Sequence, residues 1–94
     1  MTAGTNERRF APAATVNWTD AGAELVIFDR VRGSYHALNR PASAIWRALG
    51  DGRSADVIVE LLAERFEADR DAIAADVAAF LSTALAGGLI AEVA

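Results

Sequence analysis

The stretch that decides the fold is Glu24-Leu25-Val26-Ile27-Phe28-Asp29, Arg30-Val31-Arg32-Gly33, Ser34-Tyr35-His36-Ala37-Leu38, then Asn39-Arg40-Pro41 and the apolar series Ala42, Ile45, Trp46, Leu49 up to Gly50-Asp51-Gly52. The first segment is apolar on both faces and rich in β-formers, the pattern of a central strand covered on part of each side. Arg30–Gly33 is a turn, with Gly33 free to take positive φ. Ser34–Leu38 follows as a short strand. Asn39 is a good helix N-cap, and Pro41 falls in the first turn, where a missing N–H costs nothing. Ala42, Ile45, Trp46 and Leu49 recur at i, i+3, i+4, i+7, one face of a helix, and Gly50 and Gly52 end it. A small sheet placed ahead of helices leaves an edge strand open, and an open edge is either an aggregation hazard or a docking site.

On the N-terminal side, Ala14-Thr15-Val16-Asn17-Trp18-Thr19 alternates, with Ala14, Val16 and Trp18 on one face. This is a half-buried strand, and Asp20-Ala21-Gly22 supplies the turn after it. No connection is long enough for a parallel crossover, so the three strands form an antiparallel meander. Residues 1–12 are expected to be a disordered tail: Met1–Arg9 is polar and lacks a signal-peptide core. The folded domain is placed at residues 13–94.

On the C-terminal side, Ser54 caps a second helix that is expected to bury Ile58, Leu61, Leu62 and Phe66. Asp69 caps a third, with Ile73, Val77, Phe80, Leu81, Ala84 and Leu85 as its apolar stripe and Gly87-Gly88 as its stop. Leu89-Ile90 folds back onto the core. The expected fold class is α+β: a three-stranded antiparallel meander followed by three helices, with helices two and three joined as in a winged helix-turn-helix.

Composition narrows the function. A chain of 94 residues, 53% hydrophobic, is one domain with a sizeable core. Its apolar runs fall far short of the roughly 18 residues a membrane span needs, and a cytoplasmic location is expected. There is no Cys and a single His, His36. That removes disulfides, thiolate nucleophiles and Cys- or multi-His metal sites. No glycine-rich phosphate loop follows a strand. His36 has no sequence-local partner, and the carboxylates Asp51, Asp56, Glu60 and Glu64 fall at solvated helix positions. No catalytic residue, no metal and no cofactor is expected.

Net charge is −4, and all nine basic residues are Arg. A DNA-reading helix would be the third, yet from Asp69 on it carries Asp69, Asp71 and Asp76 against Arg70, a net −2 in the element that must enter a major groove. Arg30 and Arg32 make a weak basic wing. The same helix has small residues Ala72, Ala75, Ala79 and Ser82 at i, i+3, i+7, i+10. Ala is also the best helix former, so in an Ala-rich chain this series needs no other cause. Beside an open strand, however, a smooth helix face suits an extended peptide.

These pieces together resemble a known family. Gly33-Ser34-Tyr35-His36-Ala37-Leu38-Asn39, then Ala44-Ile45-Trp46, Leu49 and Asp51-Gly52, a Ser-capped helix from Ser54 to Phe66, and Asp76-Val77, Phe80-Leu81, Leu85 and Gly88-Leu89-Ile90 follow the pattern of the PqqD-like family over residues 13–91. Members of that family act as recognition elements for ribosomally made, post-translationally modified precursor peptides. The Asn39–Trp46 segment looks more like the stand-alone recognition proteins of lasso-peptide biosynthesis than like the pyrroloquinoline quinone chaperone. The resemblance implies that a leader peptide adds as a fourth strand beside Ser34, Tyr35, His36, Ala37 and Leu38 and packs on a helix wall of Asp76, Ala79, Phe80 and Thr83. The implied partners are the precursor peptide and a maturation enzyme such as a leader protease, a cyclase or a radical enzyme, with neither nucleic acid nor membrane. Leu38-Asn39 and Ile45-Trp46 are read as structural, a cap and a core pair. Two other readings stay open, a winged-helix DNA-binding regulator and a structural subunit of a larger modifying enzyme.

Overall fold

The computed structural model describes residues 7–93. The elements run β1 (Arg9–Pro12), β2 (Val16–Ala21), β3 (Glu24–Asp29), β4 (Ser34–Leu38), α1 (Arg40–Gly50), α2 (Ala55–Phe66), α3 (Arg70–Ala86) and β5 (Ile90–Val93). β2, β3 and β4 form the antiparallel meander in that order, with Trp18 opposite Ile27 and Ile27 opposite His36. The fold is therefore the α+β arrangement expected, a three-stranded sheet and three helices.

Local chemistry explains the boundaries. The Asn39 side chain accepts the Ala42 N–H at 2.9 Å, Ser54 accepts from Val57, and Asp69 accepts from Ala72 at 3.1 Å. Each satisfies one of the N–H groups left over at a helix start. Gly22, Gly33, Gly52 and Gly88 all have positive φ, at the turns flanking β3 and after α1 and α3. β2 extends through Asp20 and Ala21, so the expected turn shortens to Gly22-Ala23.

The expected tail needs correction. Met1–Asn6 lie outside the described residues, but Arg9–Pro12 pair with Ile90–Val93 in a second, two-stranded sheet. Phe10 enters the core at 2% exposure. The Arg8–Glu92 ion pair spans the two strands at 2.8 Å, and the Ala55 N–H donating to the Arg8 carbonyl at 2.9 Å ties β1 to the start of α2. Ile90 is buried as expected, so the chain does return to the core after α3.

One core joins the layers: Leu25 and Ile27 from β3, Ile45, Trp46 and Leu49 from α1, Ile58 and Leu62 from α2, and Ile73, Val77 and Leu81 from α3. Two expectations fail in detail. Leu61 is 43% exposed, because it lines a cleft between α1 and α2 instead of the centre. Trp18 is 46% exposed, yet its ring stands edge-on to the buried Trp46 at 5.4 Å, covering the core from the sheet's border. Phe66, Phe80 and Leu85 pack partly buried against the core's rim.

Candidate functional site

The site is built around β4. Alternation along the strand turns Ser34, His36 and Leu38 inward, half-buried, and leaves Tyr35 and Ala37 exposed on the other face. β4 pairs on one side only, with β3, so its other edge is unpaired. Its C-terminal end is fixed by Ser43, which is fully buried. The Ser43 hydroxyl donates to the Leu38 carbonyl at 3.1 Å and accepts the Leu25 N–H at 3.0 Å, tying α1 to the last register pair of β3 and β4.

Beside the open edge lies a hollow of about 330 Å³, lined by His36, Ala37, Leu38, Asn39, Ala42, Phe80, Thr83, Ala84 and Leu89. One wall is β4 and the start of α1, and the other is the C-terminal half of α3. α3 packs chiefly on α2 and β5. The lining is mainly apolar, and the strand edge above it offers backbone N–H and C=O groups. Such a place can hold an extended chain by a ladder of backbone bonds, with alternate side chains directed into the hollow.

Of the residues named from sequence, His36, Ala37, Leu38, Phe80 and Thr83 come together here. Ser34 lies on the inward face of the strand, its hydroxyl 3.3 Å from His36 Nε2. Tyr35, 72% exposed, belongs to the sheet's solvent face, where its ring meets Phe28 at 4.7 Å. Asp76 and Ala79 are exposed on α3 but are not part of the lining. Asn39, Ala42, Ala84 and Leu89 line the hollow and were not named. Asn39 caps α1 and Ala84 packs in the core, and both also border the hollow. Leu89 is carried there by the turn at Gly87-Gly88.

The two arginines of the suggested wing are engaged within the fold. Arg30 donates to the Ala14 carbonyl, and Arg32 pairs with Asp29 at 2.9 Å and donates to the Gly87 carbonyl at 2.7 Å. Asp29 is 1% exposed and also accepts the N–H groups of Val31 and Arg32. These bonds, led by the one from the Arg32 side chain, hold its carboxyl below the usual carboxylate range. On α3, Arg70 is paired with Glu60 at 2.9 Å. Among the described residues no group of three or more His, Cys, Asp or Glu is placed to hold a metal, and no helix is long and apolar enough to cross a membrane.

Sheet, helices and open edge define a winged-helix-like domain with one groove between a strand and a helix. The chain belongs to the PqqD family: residues 24–90 match the family described as coenzyme PQQ synthesis protein D. Two solved structures share the fold. One is TbiB1 in complex with the TbiA(beta) leader peptide, at TM-score 0.82 and 24% identity, covering 89% of this chain and 98% of that one. The other is lasso peptide synthetase B1 complexed with the leader peptide, at TM-score 0.81 and 24% identity, covering 88% and 98%. No curated protein matches the chain by sequence.

Proposed function

We propose that this chain is a non-enzymatic leader-peptide-binding protein. It takes the leader of a ribosomally synthesised precursor as an added strand on β4 and presents the precursor to a maturation enzyme, such as a leader protease, a cyclase or a radical enzyme, in lasso-peptide or related biosynthesis. The observation that carries the reading is the unpaired edge of β4 standing over an apolar hollow whose far wall is α3. The family membership and the leader complexes of the two B1 proteins support it. Backbone bonds along Ser34–Leu38 supply sequence-tolerant affinity, and His36, Leu38, Phe80 and Thr83 select side chains. Ala37 borders the hollow and Tyr35 faces away from it, while Asp76 and Ala79 would meet a peptide that runs on past Phe80.

The test is hydrogen exchange with and without a synthetic leader peptide, its sequence taken from a short precursor gene to be sought beside this chain's gene. Saturation is expected to slow exchange in β4 and leave β2 unchanged. Unaltered exchange at Tyr35–Leu38 under saturation removes the strand-addition reading. Binding of duplex DNA at physiological salt, with no leader binding, replaces it by the regulator reading. The acidic outer surface of α3 and the internal engagement of Arg30 and Arg32 weigh against that outcome.

A further inference from the structure

We infer that Arg32 is a positioning residue for the groove, a clamp that holds α3 at a fixed spacing from β4. The inference rests on the peptide-binding reading above. The groove's two walls rest on one core, which holds Leu25 and Ile27 from the sheet and Val77, Leu81 and Ala84 from α3, with Leu38 and Phe80 packed on it; a polar link at the rim adds to the spacing that this core sets. Arg32 sits in the turn between β3 and β4. Its Nη1 donates to Asp29 Oδ2 at 2.9 Å on the sheet side and to the Gly87 carbonyl at 2.7 Å on the helix side. One nitrogen thus bridges the two walls at the Ser34 end of β4.

Both anchors are firm. Asp29 is 1% exposed and is further fixed by the N–H groups of Val31 and Arg32. The Gly87 carbonyl belongs to the C-terminal end of α3, where carbonyls lack helical partners and the helix dipole favours a cation. The loop is shaped around the guanidinium: Gly88 has φ +73°, and a Cβ there would stand 3.2 Å from Arg32 Nη1. At the opposite end of β4 the Ser43 hydroxyl ties Leu38 to α1, within one and the same wall. Arg32 is thus a side chain that links the sheet to the end of α3 beside the groove.

A groove held at its binding spacing needs less reorganisation to accept a strand, and affinity falls in proportion to the time it spends at other spacings. The experiment uses the full chain and two variants. Arg32→Met keeps the stem and removes the donors, whereas Arg32→Lys keeps a cationic nitrogen able to serve both acceptors. The chain has no Cys, so Ala37→Cys and Ala86→Cys, both exposed positions, place a nitroxide pair across the groove cleanly. Without peptide, Arg32→Met is expected to broaden the label distance distribution, and Arg32→Lys to restore it. With the same synthetic leader peptide as probe, Arg32→Met is expected to bind about tenfold more weakly and Arg32→Lys within about threefold of wild type. A residue that merely supported the fold would lower the melting temperature and leave the distance distribution of the folded protein narrow. An unbroadened distribution, or unchanged leader affinity in Arg32→Met, overturns the clamp. Wild type that binds no leader, while the distances still respond to Arg32→Met, overturns the peptide-binding reading and the clamp's role in recognition with it.

Discussion

The three-stranded sheet ends in two unpaired edges, β2 on one side and β4 on the other, and they are finished differently. Beside β2 the surface is charged: Asp20 pairs with Arg47 at 2.7 Å, Asp51 lies nearby, and Trp18 covers Trp46. Beside β4 the surface is apolar, from Leu38 and Ala42 across to Phe80 and Leu89. Charge at a strand edge discourages pairing with another chain. An apolar hollow with a second wall rewards it. An open edge alone does not make a docking site; what stands beside it decides.

The largest expected effect falls on the β2 side. Trp46 is 1% exposed, and Trp46→Ala is expected to destabilise the fold by roughly 3–5 kcal/mol in denaturant titration. Exchange should quicken most in β2, which loses the ring Trp18 leans on. Among the described residues nothing accepts a hydrogen bond from Trp46 Nε1, and Phe keeps most of the buried apolar ring. Trp46→Phe is therefore expected to cost well under half of the Ala variant. Equal losses for the two variants would show that the full indole, and not apolar bulk alone, is needed at this position.

The second effect belongs to the β4 side. Thr83 lines the hollow and is exposed, so Thr83→Arg places a long cation across the groove while leaving the core intact. Leader affinity is expected to fall at least thirtyfold, about 2 kcal/mol, with the melting temperature within a degree or two of wild type. Thr19→Arg, the same change on the outward face of β2, is expected to leave leader affinity unchanged. A similar loss from both would mean that the peptide does not discriminate between the edges.

What sequence could show follows the same division. The β4 edge is made of local signals. Asn39, Ser54 and Asp69 cap their helices through bonds to residues three positions on, and the alternation of Ser34–Leu38 sets which side chains face inward. The β1–β5 sheet is the opposite case. Arg9–Pro12 and Ile90–Val93 are four residues each and pair across nearly the whole chain, too short for periodicity to register. Phe10, a lone aromatic in a polar run, was the available hint. On α3, the family resemblance implies a wall of Asp76, Ala79, Phe80 and Thr83. Spacing does not say how far along the helix β4 reaches. The hollow uses Phe80 to Ala84 and stops about one turn short of Asp76.

A smaller effect, with a pH signature, tests the join between the edges at the β3–β4 turn. Bonds from Arg32 depress the Asp29 pKa in the folded state. A depressed folded pKa contributes stability that is present above the unfolded value, near 3.9, and is lost as pH falls through the lower folded value. Stability is therefore expected to be flat from neutral pH down to about 4 on this account, then to fall. Asp29→Asn should shallow that acid limb. Glu60 and Glu92, also depressed by arginine partners, keep part of it in place. An acid limb unchanged by Asp29→Asn would show that the turn is not held through the ionised carboxylate.

The smallest expected effect returns to β2 and asks whether its charge protects the edge or supports the fold. The Asp20 and Arg47 side chains are 71% and 35% exposed, so water screens the pair and two flexible chains lose freedom in forming it. Arg47 also donates to the Ala23 carbonyl at 3.3 Å, which holds part of its position without Asp20. Asp20→Ala is therefore expected to cost only ~0.2–1 kcal/mol, measured by denaturant titration at low salt, and less at 1 M salt, where charges beyond about 3 Å are screened. Leader affinity should not change, because Asp20 lies on the far strand of the sheet from the hollow. Asp20→Val goes further: it replaces the edge charge with a β-forming apolar residue while leaving the β4 groove untouched. If charge is what keeps the β2 edge unpaired, this variant should self-associate in a concentration-dependent manner by sedimentation, Asp20→Ala should do so more weakly, and the wild type should not. A monomeric Asp20→Val would show that this charge is not what protects the β2 edge, even though an apolar hollow lined by Trp18, Val26, Phe28 and Tyr35 lies on that side of the sheet too.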